Sequence, residues 1–230
     1  MNTENKENTE SSINENANIE NLLKDAKDKL DSVGKLKTNG NEMFSKGEID
    51  TAIEFYVRAK EIIKKEILEN FINENIVKEE AVKVFLKDVK AENIKIHSNL
   101  ALFYSKKGKW EESVENDVNI VNYLDPLFDK SYTRLIINYV ALDKIENAVY
   151  YYHLLKRTFN EETVVKYQSN ISDLMQKNEK FKKAVNGLGK VKKNGGSNIM
   201  IYVIAIAVVG FAFYIYNMYK KPAEEVFWNI

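Results

Sequence analysis

KGKWEESVEND, at residues 107–117, aligns with KGEIDTAIEFY at 46–56 and with LDKIENAVYYY at 142–152, and this alignment decides the fold. In each copy a short turn-like segment precedes an apolar residue, and a small residue follows three positions later. A small residue near the start of a helix lets a second helix approach closely, which predicts packed helix pairs. The aligned positions are Ile49, Trp110 and Ile145, then Ala52, Ser113 and Ala148, then Tyr56, Asp117 and Tyr152, where Asp117 breaks the pattern.

The three copies begin at residues 46, 107 and 142, so they are 61 and 35 residues apart. The second spacing is close to the repeat of about 34 residues that is typical of tetratricopeptide helix pairs. The first spacing equals one repeat plus roughly 27 residues, which extended helices on either side of residues 70–76 would explain. The spacing therefore predicts an all-α fold with three helix pairs, and its resemblance to the tetratricopeptide repeat implies that they form a right-handed superhelical stack.

The predicted domain organisation follows from these repeats. A stack of repeats needs a terminal helix to cover its exposed end, and residues 161–185 have the amphipathic pattern for it. The predicted helices of the pairs are 35–46 and 50–69, 77–107 and 110–123, and 127–141 and 144–158. The predicted segments are a disordered 1–20, a lead-in helix 21–34, three repeat motifs 35–158, a capping helix 159–185, a basic flexible linker 186–198, a transmembrane anchor 199–219 and a short translocated tail 220–230.

Composition excludes several classes of protein. The 34 basic and 34 acidic residues balance, which argues against a nucleic-acid binder. The chain has no cysteine, so disulfides and thiolate metal sites are excluded. We find no phosphate loop, nucleophile motif or metal-ligand cluster, so we expect no enzymatic activity and no cofactor.

An apolar run near the C-terminus predicts a membrane anchor. Residues 199–216 contain no charge and no proline, and extension to Tyr219 gives a helix of about 30 Å, enough to span a bilayer. Residues 177–193 hold seven lysines and one glutamate, which places the repeats on the cytosolic side. The sequence therefore predicts a single-pass tail anchor, in the mitochondrial outer membrane or the endoplasmic reticulum.

Five polar residues are candidates for a peptide-binding site. Lys37 and Asn41 lie four residues apart on the first predicted helix, and Lys130 and Arg134 lie four apart on the fifth, so each pair shares one helix face. Asn99 lies on the third predicted helix, and the aligned turns place all five on equivalent turns. Such a set of cations and amides is matched to a pair of carboxylates, which a peptide ending in aspartate provides.

This set resembles the dicarboxylate clamp of co-chaperone tetratricopeptide domains. The segment KTNGNEMF at 37–44 is similar to the first helix of that family, with Gly40 at a close-packing position, and HSNLALFY at 97–104 is similar to the corresponding helix of FK506-binding immunophilins. One branch of those immunophilins is tail-anchored, whereas their isomerase domain has no counterpart here. The resemblance implies binding of the C-terminal Glu-Glu-Val-Asp peptide of heat-shock 70 and 90 chaperones.

We therefore expect a membrane-anchored co-chaperone that recruits these chaperones to an organelle surface. A rival interpretation is an adaptor of the mitochondrial-fission type, which is also a small tail-anchored helical-repeat protein, or another protein-binding scaffold. The rival does not need the five clamp residues.

Overall fold

The computed structural model describes residues 4–74, 76–77 and 79–191, and over these residues every regular element is a helix. The all-α prediction is confirmed for this part of the chain. The elements are α1 (Glu4–Ser45), α2 (Ile49–Glu61), a first π-helical segment (Ile62–Leu68), α3 (Glu69–Asn73), α4 (Glu80–Lys106), α5 (Trp110–Asn119), a second π-helical segment (Ile120–Leu124), α6 (Asp129–Ala141), α7 (Ile145–Thr158), α8 (Glu161–Lys177) and α9 (Glu179–Val191).

The chain divides into two compact units, with the division after Ile96 in α4. In the first unit α1 packs along α2 and the first π-helical segment. In the second unit α6 contacts both α5 and α7, while α8 packs on α6 and α9 packs on α7. The helices of the first and third predicted pairs therefore pack on each other, as the repeat pattern predicts.

The three aligned turns have the same geometry. Gly47, Gly108 and Asp143 have positive φ values of 84°, 72° and 54°. In each turn the amide of the next residue donates to the carbonyl five residues earlier at 2.9 Å, which is the bond of a Schellman helix end. Asp143 takes the left-handed position that glycine takes in the other two turns, and aspartate is among the residues that tolerate it.

The small residues that follow these turns are all fully buried. Ala52, Ser113 and Ala148 have no exposed surface, as close helix packing requires. The buried hydroxyl of Ser113 has a hydrogen-bond partner, because it donates to the carbonyl of Ala101 on α4 at 2.6 Å. The predicted contact positions are confirmed.

The N-terminal helix differs from the expectation. The sequence predicts disorder over residues 1–20 and a separate lead-in helix over 21–34, whereas α1 is continuous from Glu4 to Ser45. Ile19, Leu23, Ala26 and Val33 recur at helical spacing and are buried, so apolar packing extends the helix toward the N-terminus. Gly34 lies inside this helix with open space around it, and it does not interrupt it.

The predicted capping helix is in fact two helices. Asn178 has an extended backbone that ends α8, and its side-chain oxygen accepts from the amide of Phe181 at 2.9 Å, which caps α9. Phe181 is fully buried and its ring meets the edge of Tyr152 on α7, with the ring centroids 6.3 Å apart. An internal cap and one aromatic anchor therefore fold α9 back onto the last helix pair.

Most of the segments predicted near the C-terminus lie beyond the residues that the structure describes. Helix α9 continues to Val191, so the first residues of the predicted linker 186–198 are helical. Within the described residues no helix is both long and apolar enough to cross a bilayer. The predicted anchor 199–219 and tail 220–230 lie outside the described residues.

Candidate functional site

Lys37 and Asn41 lie one turn apart on α1, so their side chains leave the same face of the helix. The Lys37 ammonium forms an ion pair with the carboxylate of Glu92, which lies 55 residues later on α4. Only 16% of the Lys37 side chain and 22% of the Glu92 side chain is exposed. The first predicted cation therefore has a carboxylate partner within its own unit.

The Glu92 carboxylate binds two lysines at once. Its Oε2 accepts from Lys37, and its Oε1 accepts from Lys95 Nζ at 2.7 Å. Burial raises the pKa of a carboxyl group, but the bonds from Lys37 and Lys95 outweigh this effect and hold the pKa of Glu92 below its ordinary value. Glu92 is therefore ionised at neutral pH.

Asn41 is oriented by an aromatic residue of α2. The Tyr56 hydroxyl donates to Asn41 Oδ1 at 2.8 Å. The amide nitrogen of Asn41 takes no part in this bond. The Tyr56 ring lies against Gly40, where an added Cβ would be 2.7 Å from two ring carbons. The close-packing role predicted for Gly40 is confirmed, and the same contact places the hydroxyl that orients Asn41.

Lys130 and Arg134 lie one turn apart on α6. Lys130 is exposed, whereas 13% of the Arg134 side chain is exposed. Arg134 Nε donates to Oδ2 of Asp117 on α5 at 2.7 Å, and Arg134 Nη2 donates to Oδ1 of the same carboxylate. This two-point contact fixes the plane of the guanidinium.

Asp117 is the buried partner that holds Arg134. Its side chain has no exposed surface, and its Oδ1 also accepts from the Ser131 hydroxyl at 2.7 Å. Burial raises the pKa of the Asp117 carboxyl, and the bonds from Arg134 and Ser131 oppose that rise. The residue that breaks the aligned pattern is thus the counter-ion of a predicted site residue.

Asn99 lies partly buried on α4, one residue after Ser98. The Ser98 hydroxyl is 3.5 Å from Arg134 Nη2, so the turn of α4 that carries Asn99 approaches the guanidinium. Asn99, Lys130 and Arg134 therefore belong to one part of the second unit.

A series of connected hydrogen bonds sets the position of α6 in the second unit. The Ser105 hydroxyl of α4 donates to Asn138 Oδ1 at 2.9 Å, and Asn138 Nδ2 donates to the Ser113 hydroxyl at 2.7 Å. Asn138 and Ser113 are fully buried. Because buried polar groups are costly unless paired, this series of bonds fixes the register of α6 against α4 and α5.

The predicted site residues thus form two groups. The first unit brings Lys37 and Asn41 to one face of α1, and the second brings Lys130 and Arg134 together near the turn that carries Asn99. The convergence of all five residues on a single ligand stays a prediction from the aligned turns.

Three residues that matter to these groups are not among the sequence candidates. Glu92 carries no sequence signal, since its contact with Lys37 spans two distant helices. Asp117 did carry one, because a carboxylate at a position that is aromatic in the other two repeats requires a buried partner. Tyr56 aligns with Tyr152 as a packing residue, and only the structure shows that its hydroxyl orients Asn41.

Comparison with solved structures finds several similar chains. A domain from Plasmodium falciparum, described as the C-terminal TPR-containing domain of an FK506-binding protein, matches with a TM-score of 0.48 and 22% identity, over 66% of this chain and 93% of that one. No protein-family model matches the sequence. No curated protein matches it either. The assignment of the fold therefore rests on the helix pairs of this chain.

Proposed function

We propose that this chain is a protein-binding scaffold of the tetratricopeptide type that binds the carboxylate end of an acidic peptide. The proposed ligand is a peptide ending in Glu-Glu-Val-Asp, as in heat-shock 70 and 90 chaperones. The observation that carries the proposal is the pair Lys130 and Arg134, in which an exposed ammonium lies one turn from a guanidinium that a buried carboxylate holds in place.

The fixed guanidinium suits recognition of a second, external carboxylate. An arginine has five N–H donors, and the contacts with Asp117 and Ser98 use three of those of Arg134. The two hydrogens on Nη1 are left for a ligand. Because the side chain is already ordered, little rotamer freedom is lost on binding, and this favours affinity.

Lys37 and Asn41 supply the donors for the second carboxylate in this proposal. A peptide that ends in aspartate presents a terminal and a side-chain carboxylate, and each charge-assisted bond contributes about 1.5–3 kcal/mol. The orientation of Asn41 by Tyr56 supports this role, since it leaves the amide N–H groups of Asn41 as donors for the ligand.

Residues 199–219 would anchor the scaffold in a membrane with the repeats in the cytosol. A fluorescent fusion of residues 186–230 tests this part by itself. We expect the fusion to localise to mitochondria or the endoplasmic reticulum with its fluorophore on the cytosolic side. A diffuse cytosolic signal would remove the anchor from the proposal and leave the peptide-binding part standing.

The peptide-binding part is tested by calorimetry on the full chain in detergent micelles. We expect micromolar affinity for a peptide ending in Glu-Glu-Val-Asp. The matched control is the same peptide with an amidated C-terminus, which lacks the terminal charge and should not bind. Equal binding of both peptides would reject the carboxylate site and favour the rival adaptor, whose groove does not require a C-terminal carboxylate.

A further inference from the structure

The carboxylate of Glu92, a residue of this same chain, forms an ion pair with Lys37, which is one of the cations that we propose bind the peptide. It lies on α4 and reaches Lys37 on α1, within the first compact unit. An incoming peptide carboxylate has the same charge and the same geometry as Glu92. The two therefore compete for one ammonium group.

We propose that Glu92 acts as an internal competitor for Lys37, which a peptide carboxylate must displace before it can bind there. This inference rests on the proposed function, because it assumes that Lys37 binds the peptide. It identifies Glu92 as a residue that lowers affinity for the peptide without touching it in the bound state.

The second lysine at Glu92 makes the displacement feasible. Lys95 lies three residues after Glu92 on the same helix and binds Oε1 at 2.7 Å, while Lys37 binds the other oxygen. When Lys37 turns to a peptide carboxylate, Glu92 keeps a cationic partner and does not become an unpaired charge. A released carboxylate without such a partner would be costly at a partly buried position.

The other internal carboxylate cannot be displaced in this way. Asp117 has no exposed surface and is held by both Arg134 and Ser131. Part of the Glu92 side chain reaches solvent, so water can hydrate its carboxylate once Lys37 leaves. Asp117 therefore orients its cation, whereas Glu92 competes for one.

Glu92→Gln is the direct test, because glutamine keeps the shape and removes the charge. Binding of a Glu-Glu-Val-Asp peptide to the full chain in detergent micelles should tighten about two- to fivefold, the range for partly exposed ion pairs. In a Lys37→Ala background the same change should have no effect. Glu61→Gln, an exposed glutamate paired only loosely with Lys65, is the control for the change in net charge and should leave affinity unchanged.

Lys95→Ala gives an effect of opposite sign that a purely structural role would not produce. Without Lys95 the Glu92 carboxylate depends on Lys37 alone, so peptide binding should weaken. This loss should shrink when Glu92→Gln is added, since no competitor is then present. Far-ultraviolet circular dichroism on each variant verifies that the helices are intact.

The outcomes separate the two proposals. Tighter binding by Glu92→Gln that requires Lys37 supports the competitor. Unchanged or weaker binding by Glu92→Gln, with wild type still binding the peptide, overturns the competitor and leaves the proposed function standing. If neither wild type nor Glu92→Gln binds the peptide, the proposed function fails and the competitor falls with it.

Discussion

Asp117 and Arg134 form a two-point ion pair in which the carboxylate is fully buried, whereas 13% of the arginine side chain is exposed. The carboxylate comes from the second helix of one predicted pair and the guanidinium from the first helix of the next pair. The contact therefore joins two adjacent repeats and at the same time sets the direction of a proposed ligand donor. In our proposal, stability and peptide recognition therefore both depend on the Arg134 side chain.

We expect Asp117→Asn to lower both stability and peptide affinity. Removing one member of a buried ion pair leaves the other charge uncompensated, and losses of about 3–5 kcal/mol are typical when both are buried. Because part of the Arg134 side chain is exposed, we expect a smaller loss in the free energy of unfolding, about 1–3 kcal/mol. Urea denaturation measures this loss and calorimetry measures the affinity.

The matched control for that variant is Asp143→Asn. Asp143 pairs with Lys180 across two exposed side chains, and asparagine also tolerates its left-handed backbone. The free energy of unfolding should change by less than about 1 kcal/mol. Equal losses in Asp117→Asn and Asp143→Asn would contradict a special role for the buried pair.

Two glycines of α1 should respond in opposite directions to alanine. In Gly40→Ala the new Cβ would lie 2.7 Å from the Tyr56 ring, so the helices must separate and we expect a loss of about 1–3 kcal/mol. In Gly34→Ala nothing lies within 4 Å of the new Cβ, and a helix-interior alanine should stabilise by up to about 1 kcal/mol. Thermal unfolding of the two variants side by side provides the measurement, and a stable Gly40→Ala would show that the contact is not tight.

Lys130→Ala should weaken peptide binding and leave the fold intact. The side chain is exposed, so its removal creates no cavity, while the loss of one charge-assisted bond should reduce affinity by about 1.5–3 kcal/mol. The control is Lys183→Ala, which removes an exposed lysine of α9 that has no proposed role. Calorimetry at two salt concentrations should show a weaker salt dependence for Lys130→Ala alone. Identical affinities of the two variants would argue against a ligand contact at Lys130.

The contacts that Asp129 on α6 makes with α8 allow us to predict how low pH affects the packing of these two helices. Its Oδ2 accepts from Lys166 Nζ at 2.9 Å and from the Tyr167 hydroxyl at 2.8 Å, both on α8. Partial burial opposes ionisation, yet the bonds from Lys166 and Tyr167 lower the pKa of Asp129 below its ordinary value. A carboxylate whose pKa is lower in the folded state contributes stability above its unfolded pKa and loses it as pH falls through the folded pKa.

Asp129→Asn should therefore be less stable than wild type at neutral pH. The difference between the two free energies of unfolding should narrow below about pH 4, where the unfolded carboxyl takes up its proton, and should be gone below the folded pKa. Urea denaturation at pH 7, 5, 4 and 3 measures the difference. A difference that is constant with pH would show that the carboxylate charge is not what holds α8.

The local features of the fold could be read from the sequence. The turns at 46–48, 107–109 and 142–144 and the buried Ala52 and Ser113 follow from short-range patterns, because backbone geometry and helix periodicity act over a few residues. The helix cap formed by Asn178 could not be predicted from the sequence for a related reason. A polar residue in an amphipathic helix pattern is predicted to be solvent-exposed within the helix. Its role as a cap is evident only when its backbone conformation is known.

The sequence by itself determined which residues belong to helix pairs and which cations share a helix face, since a spacing of four residues fixes that face in any α-helix. Only the tertiary structure decided what those cations contact. Lys37 meets Glu92 across 55 residues and Arg134 meets Asp117 across 17, and many other acidic residues were available to each. Ion pairs form between side chains that packing brings together, and packing depends on the burial of apolar surface over whole helices, so no local pattern specifies the partner.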